Sequence, residues 1–411
     1  MNEQAKPIGG PVMTRSFIIL LALGAVAVGL LVWRFIAGLG PTTALSSGFP
    51  WGLWIAFDVV TGTALACGGY AMALLVYVFN KGRYHPLVRP AILTSALGYS
   101  LGAVAVAIDV GRPWMLWKVP TMIWRWNVNS VLLEVAVCIT AYVLVLWLEM
   151  APAFLERWRF SERDKLRRFA ERTLPLLDRA LFTIVAIGVI LPTLHQSSLG
   201  SLMLLAGPKL HAIWNTPLLP MFFLLTCISM GFAMVIFESV FSALTFGRKP
   251  ERPMLADLQR IAAYLALAFV IVRFFDLIAR GRAELFLEPS FMAGLFWIET
   301  LLFLSPMAFL ILRKGPPRLA SLFQEAVLIA VAGTLYRFDT FLLAFRPSPG
   351  WRYFPSVAEI LITVGLVSLE LALYVFLVKR FPILGGVSGE WVEKPAPAAV
   401  PQLLPTPAGA K

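Results

Sequence analysis

Four ionisable side chains set in long apolar runs pose the chemical question for this chain. Asp58 stands in WGLWIAFDVVTG, Asp109 in AVAIDVGRPW, Glu134 in NSVLLEVAV and His195 in LPTLHQSSLG. An ionisable group among aliphatic neighbours is costly to bury, so each is a functional candidate. Carboxylates, an imidazole and tyrosines beside tryptophan suit a flat lipophilic electron carrier such as a quinone. Donors to its carbonyls stabilise the negative charge that reduction builds, and titratable groups deliver the two protons. His195 is the natural carbonyl donor, and Glu134 is a candidate proton carrier. The same carboxylates equally suit the coupling sites of a proton-driven secondary transporter acting alone.

Metal chemistry has little to work with. Cys67, Cys138 and Cys227 lie far apart with no CxxC, so neither an iron–sulfur ligand set nor a c-type haem attachment is expected. Two b-haems usually need four histidines on spanning helices. His85 lies in a basic loop, leaving only His195 and His211. The chain is therefore expected to carry no haem, no cluster and no metal site, and to use a diffusible carrier.

The elements that hold these residues follow from composition. Of 411 residues, 59% are hydrophobic and 14% charged, with a mean hydropathy of +0.79. A soluble domain is nearer half apolar and a quarter charged. Apolar stretches of bilayer-crossing length recur ten times, at about 16–37, 51–79, 88–111, 128–150, 178–199, 217–244, 258–279, 291–312, 320–345 and 355–378. The first reads as a retained span, because Trp33 and Arg34 end it without a small-residue cleavage signal. The expected fold is all-α, with residues 1–380 forming one polytopic membrane domain. Within it, spans 2–5 (51–199) and 6–9 (217–345) form two four-helix bundles flanked by spans 1 and 10.

The net charge of +12 does not call for nucleic acid. Most Lys and Arg fall in alternate loops, eight of them between Arg157 and Arg179. That asymmetry places both termini in the cytoplasm. Residues 151–178 are amphipathic and basic, and are expected to lie along the inner surface. Residues 381–411, rich in Pro and Ala, read as a disordered cytoplasmic tail.

Against this topology almost every intramembrane polar residue falls in the outer half. Glu134 is placed about 9 Å below the outer start of its span. Asp109 and Arg112 read as a structural pair at a helix end, and Arg273 with Asp276 as an i,i+3 ion pair. Tyr99, mid-membrane, and Glu238, nearer the inner side, are the main exceptions. The outer loops gather Trp114, Trp117, Trp124 and Trp126, which fit an interfacial belt, a docking floor for a partner subunit, or the wall of a ring-binding pocket. A faint echo, IDVGRPW with NSVLLEV against FFDLIARGR with PSFMAGLFWIET, is consistent with a duplicated bundle.

The strings GFPWGLWIAFDVVTGTALACGGYA, GYSLGAVAVAIDVGRPW, WNVNSVLLEVAVC and LPTLHQSSLGSL are similar to the so-called b-type cytochrome membrane subunits of nickel–iron hydrogenase-2 type. Those belong to the wider polysulfide-reductase and nitrite-reductase membrane-subunit family. The resemblance implies a haem-free, quinone-reactive subunit of the bacterial inner membrane. It would exchange electrons between menaquinone or ubiquinone and a periplasmic ferredoxin-like iron–sulfur subunit, itself fed by a nickel–iron hydrogenase or another oxidoreductase. By motif position, Asp58, Asp109 and His195 belong to the quinone pocket, with Trp114 near it. Glu134 and Tyr99 lie on a proton path that Glu238 continues toward the cytoplasm. Proton translocation itself is left open.

Overall fold

The computed structural model describes residues 5–385, so the expected tail lies almost wholly outside the described residues. Among the described residues ten helices are long and apolar enough to cross a membrane. They are α1 (Arg15–Ala37), α2 (Trp54–Val78), α3 (Gly82–Asp109), α4 (Val131–Trp158), α5 (Asp164–Leu205), α6 (Leu219–Phe246), α7 (Arg252–Ala279), α8 (Phe291–Leu312), α9 (Leu319–Leu343) and α10 (Val357–Arg380). Among the described residues the only β pairing is two isolated bridges. In hydrocarbon every backbone polar group needs an internal partner, which helices supply. The chain is a multi-pass integral membrane protein.

Local chemistry fixes where the helices begin. Thr14, Ser130 and Ser290 cap α1, α4 and α8 by accepting from Phe17, Leu133 and Ala293 backbone amides at 3.3, 3.4 and 3.1 Å. Ser356 and Glu359 form a reciprocal capping box on α10. Gly247, with φ of 67°, closes α6 in the left-handed conformation that glycine adopts without strain. Arg34 also caps, but across helices. Its guanidinium, 2% exposed, donates to the Ile108 and Val110 carbonyls at 2.7 Å each, closing the end of α3.

Helices α2–α5 pack in chain order, as do α6–α9, and α9 closes back on α6. The two sets join where α2 and α5 meet α6 and where α9 meets α2. Helix α1 pairs with α10 along its length, and α10 also touches α2 and α3. The α2–α6 approach is close: a Cβ on Gly231 would fall 2.5 Å from the Cys67 carbonyl oxygen. The two ends of the described residues lie together, because Lys6 pairs with Leu384. We call that side the terminal face and the opposite side the far face.

Residues 151–178 are shared between two long helices: α4 runs on to Trp158, and α5 starts at Asp164 as one helix of 42 residues. At 1.5 Å per residue α5 is about 63 Å long, roughly twice a hydrocarbon core. Glu134 also sits higher than expected. With Ser130 as the cap it occupies the first turn of α4 and is only half-buried.

Candidate functional site

Helix α2 is irregular where chemistry concentrates. It is widened to a π-helix over Trp54–Thr61 and again over Leu74–Val78, and it is interrupted at Ala66–Cys67. Such turns recur at functional sites because they re-aim side chains and backbone carbonyls. Thr61 closes the first widened stretch, its hydroxyl donating to the Ala56 carbonyl at 2.8 Å.

Beside that irregular stretch lies a buried polar network. Gln196 of α5 donates through Nε2 to Thr63 Oγ1 at 3.0 Å and to the Tyr99 hydroxyl at 3.3 Å. Its Oε1 accepts from Arg337 of α9 at 3.3 Å. Arg337, fully buried, also donates to the Val60 and Phe223 carbonyls, Thr226 Oγ1 and Met230 Sδ at 3.0–3.3 Å. All these acceptors are neutral, so a guanidinium stands inside the membrane domain held by dipoles. Cys67 Sγ lies 3.4 Å from the Tyr99 hydroxyl.

His195 borders this network. Its ring packs edge-on to Tyr99, centroids 5.6 Å apart, and Tyr99 in turn packs on Tyr142 at 4.5 Å. The imidazole is 0% exposed, and neither nitrogen has a partner in hydrogen-bonding geometry, although the Val135 carbonyl lies beside it. Leaving a buried polar group unpaired costs about 1–3 kcal/mol. This atom pair is therefore the clearest candidate for meeting a ligand.

The other predicted site residues are placed elsewhere. Asp58, 1% exposed, turns toward α10, where Thr363 Oγ1 donates to its Oδ2 at 2.8 Å; its Oδ1 is unpartnered. Asp109 ends α3 close to Arg34 and Glu359. Arg112 is exposed and the expected Asp109–Arg112 pair is not formed; Arg34 arrives from α1 and lies near the Asp109 carboxyl, but its guanidinium bonds to the Ile108 and Val110 carbonyls. Trp114 lies on the far-face loop with 63% of its surface exposed. Glu238, deep in α6, accepts from the Tyr374 hydroxyl of α10. The structure thus brings Tyr99 and His195 together, whereas Asp58 and Asp109 face α10 and α1.

The second bundle holds its own charges. Arg273 pairs with Glu299 at 2.5 Å rather than with Asp276, because its side chain crosses to α8. Asp276 pairs with Arg280 at 2.6 Å and accepts from Thr216 at 2.9 Å. Trp214 Nε1 donates to Glu299 at 3.2 Å, and the Asp339 carboxyl faces Glu299 with no donor on either oxygen. The Asp109/Glu134 and Asp276/Glu299 echo therefore does not extend to environment: Glu299 is sealed, whereas Glu134 is half-exposed.

Sequence reading also missed groups away from the far face. Glu149, Glu325 and Glu370 sit in helices at middle or terminal-face depth, and Glu325 is 0% exposed. Glu149 and Glu370 each stand alone among apolar neighbours, which was itself the available signal, whereas Glu325 follows Gln324. In the far-face loops, burial and the adjacent Glu359 push the Tyr353 phenol up, and burial with Arg346 nearby pushes the His211 imidazole down.

Residues 41–344 match the family model described as polysulphide reductase, NrfD. The chain is 42% identical, over 93% of its length and 96% of the relative's, to the probable Ni/Fe-hydrogenase 2 b-type cytochrome subunit of Escherichia coli. It is 28% identical to the menaquinone reductase integral membrane subunit of Nitratidesulfovibrio vulgaris, covering 78% of this chain and 80% of that one. The Hdr-like menaquinol oxidoreductase integral membrane subunit of Archaeoglobus fulgidus is 21% identical over 93% of this chain and 97% of its own. The word cytochrome in the first name raises haem, which the donor set here does not fit. His195 faces tyrosine, and His211 is a loop residue whose Nδ1 accepts from the Ile213 amide. His85 lies in the turn before the regular part of α3, and among the described residues no cluster of His, Cys, Asp and Glu could hold a metal ion. With a matched region running from the far-face loop before α2 to the end of α9, this chain belongs to the NrfD family of polysulphide-reductase membrane subunits.

Proposed function

We propose that this chain is the quinone-reactive membrane subunit of an oxidoreductase complex of nickel–iron hydrogenase type. It passes electrons between a periplasmic iron–sulfur subunit and menaquinone or ubiquinone in the bacterial inner membrane, with both termini cytoplasmic and the far face periplasmic. The observation that carries this reading is the buried His195 imidazole with two free nitrogens, set beside the Tyr99–Gln196–Arg337 network at the irregular part of α2. A quinone carbonyl would satisfy it, and an N–H fixed before reaction stabilises charge as it develops on that oxygen. The kinship with a menaquinone reductase subunit supports the same substrate class.

In this reading Asp58 and Asp109 serve the headgroup from the α10 and α1 sides, and Trp114 stands at the rim. Protons reach the site through Glu134 and Tyr99 on the far side, with Glu238 toward the terminal face.

Two outcomes are expected. In the assembled complex His195→Ala lowers quinone kcat at least about tenfold, the loss of one preorganised donor, with little change in melting temperature. Full turnover with wild-type affinity in that variant removes His195 from the site. The purified subunit is also expected to show no Soret band and no stoichiometric iron. One haem per chain by absorption spectroscopy would overturn the view of a metal-free subunit.

A further inference from the structure

Helix α10 lies outside the region matched by the family model, which ends at residue 344, yet it carries a polar face. Glu359, Thr363, Glu370 and Tyr374 are spaced 4, 7 and 4 residues apart, which at 100° per residue keeps them within a narrow arc. At 1.5 Å per residue the stripe covers about 22 Å of a hydrocarbon core roughly 30 Å thick. Polar groups are costly there and mark pathways when they line up.

Thr363 and Tyr374 each bond to a carboxylate on an opposing helix, whereas Glu359 is held by the loop and its own helix cap. At the far face, Glu359 accepts from the Tyr353 hydroxyl at 2.7 Å and from the Ala44 and Ser356 amides at 2.8 Å, with Asp109 and Arg34 nearby. Thr363 donates to Asp58, whose second oxygen is buried and unpartnered. Glu370 lies against Gly98 of α3, where an added Cβ would come within 3.5 Å of its Oε1. Tyr374 donates to Glu238, which lines a crevice with Gly68, Ala91 and Thr94. Arg248 and Glu251, paired at 3.1 Å, lie near Glu238 and reach the loop at the terminal face.

We propose that this face of α10 is a proton relay joining Asp58 to the Arg248–Glu251 pair at the terminal face, with Glu370 as its central protonatable rung. Each carboxyl takes a proton on one oxygen and releases one from the other, and the Tyr374 phenol passes one by exchanging hydrogen bonds. No electrons move along it. Between Thr363 and Glu370 lie two turns, about 10 Å, that include Leu366, so transient water has to bridge that gap. The inference builds on the quinone reading, because two-electron reduction of a quinone consumes two protons that a relay ending at Asp58 could deliver. It leaves the far-side path through Glu134 and Tyr99 in place and reaches Glu238, on the terminal-face side, from α10.

The test has two arms on the full chain. First, the infrared difference between wild type and Glu370→Gln isolates the Glu370 carboxyl band. On transfer to D2O this band is expected to shift within minutes, and Tyr374→Phe is expected to slow that shift at least about tenfold. A band that does not shift, or one indifferent to Tyr374→Phe, overturns the relay whatever the substrate. Second, in complex-containing liposomes turning over a soluble quinone analogue, Glu370→Gln is expected to cut proton uptake from the terminal-face side about tenfold, with Glu370→Asp restoring most of it. Unchanged uptake in Glu370→Gln overturns the relay. A wild type with no quinone turnover instead sinks the quinone reading, and the infrared arm still decides the relay.

Discussion

Arg337→Met is expected to lower the unfolding free energy by at least about 4 kcal/mol, and to abolish any activity that depends on the network at α2. The guanidinium joins α9 to carbonyls of α2 and α6 and to Gln196 of α5. Hydrogen bonds from a charged donor contribute about 1.5–3 kcal/mol each, and buried acceptors left behind cost more than they gained. A methionine fills part of the volume but satisfies none of the five acceptors. Arg337→Lys keeps the charge yet offers a single flexible ammonium in place of a planar fork, so it should recover less than half of the loss. Detergent-titrated unfolding followed by helical circular dichroism measures both. A loss under about 1 kcal/mol for the methionine variant would show that the network is incidental.

The second large effect is asymmetric. Removing one member of a buried ion pair strands the other, at about 3–5 kcal/mol. Arg273→Met leaves Glu299 and Asp339 as facing carboxyls with no cation between them, inside a box of Trp214, Phe269, Phe296 and Tyr336. That variant should lose the full amount. Glu299→Gln leaves Arg273 free to turn to the adjacent Asp339, so it should lose less than half as much. Equal losses in the same unfolding assay would mean that Asp339 does not share the cation.

The frame of this protein is legible in its sequence because bilayer length and apolarity leave few alternatives. Ten stretches were expected and ten helices of spanning length occur among the described residues, three of them started by the Thr14, Ser130 and Ser290 caps. Individual ion pairs were harder to foresee. Spacing along one helix paired Arg273 with Asp276, but burial pulled Arg273 across to Glu299, and no one-dimensional rule anticipates which neighbour a long side chain reaches. The approach of Arg34 to the end of α3 beside Asp109 was hidden for the same reason, since α1 and α3 meet only in three dimensions. The π-helical turns of α2 have no composition signal: GFPWGLWIAFDVVTG reads as an ordinary apolar span. Attention to the outer half also hid Glu370, whose meaning depends on Asp58 and Glu238 being carried by other helices.

The pairing of the first helix with the last has a consequence for biogenesis. Gly24 of α1 packs on Leu369 of α10, and Gly365 of α10 packs on Ala27 of α1, each so closely that a Cβ would fall within 2.3 Å of the neighbouring side chain. During synthesis α1 enters the bilayer more than 300 residues before its principal mate emerges. Until then Arg34 tethers it, gripping the end of α3 as soon as that hairpin is inserted. Completion of the outer layer therefore waits for α10, and synthesis that stops short of residue 357 leaves the Gly24 face of α1 turned to lipid.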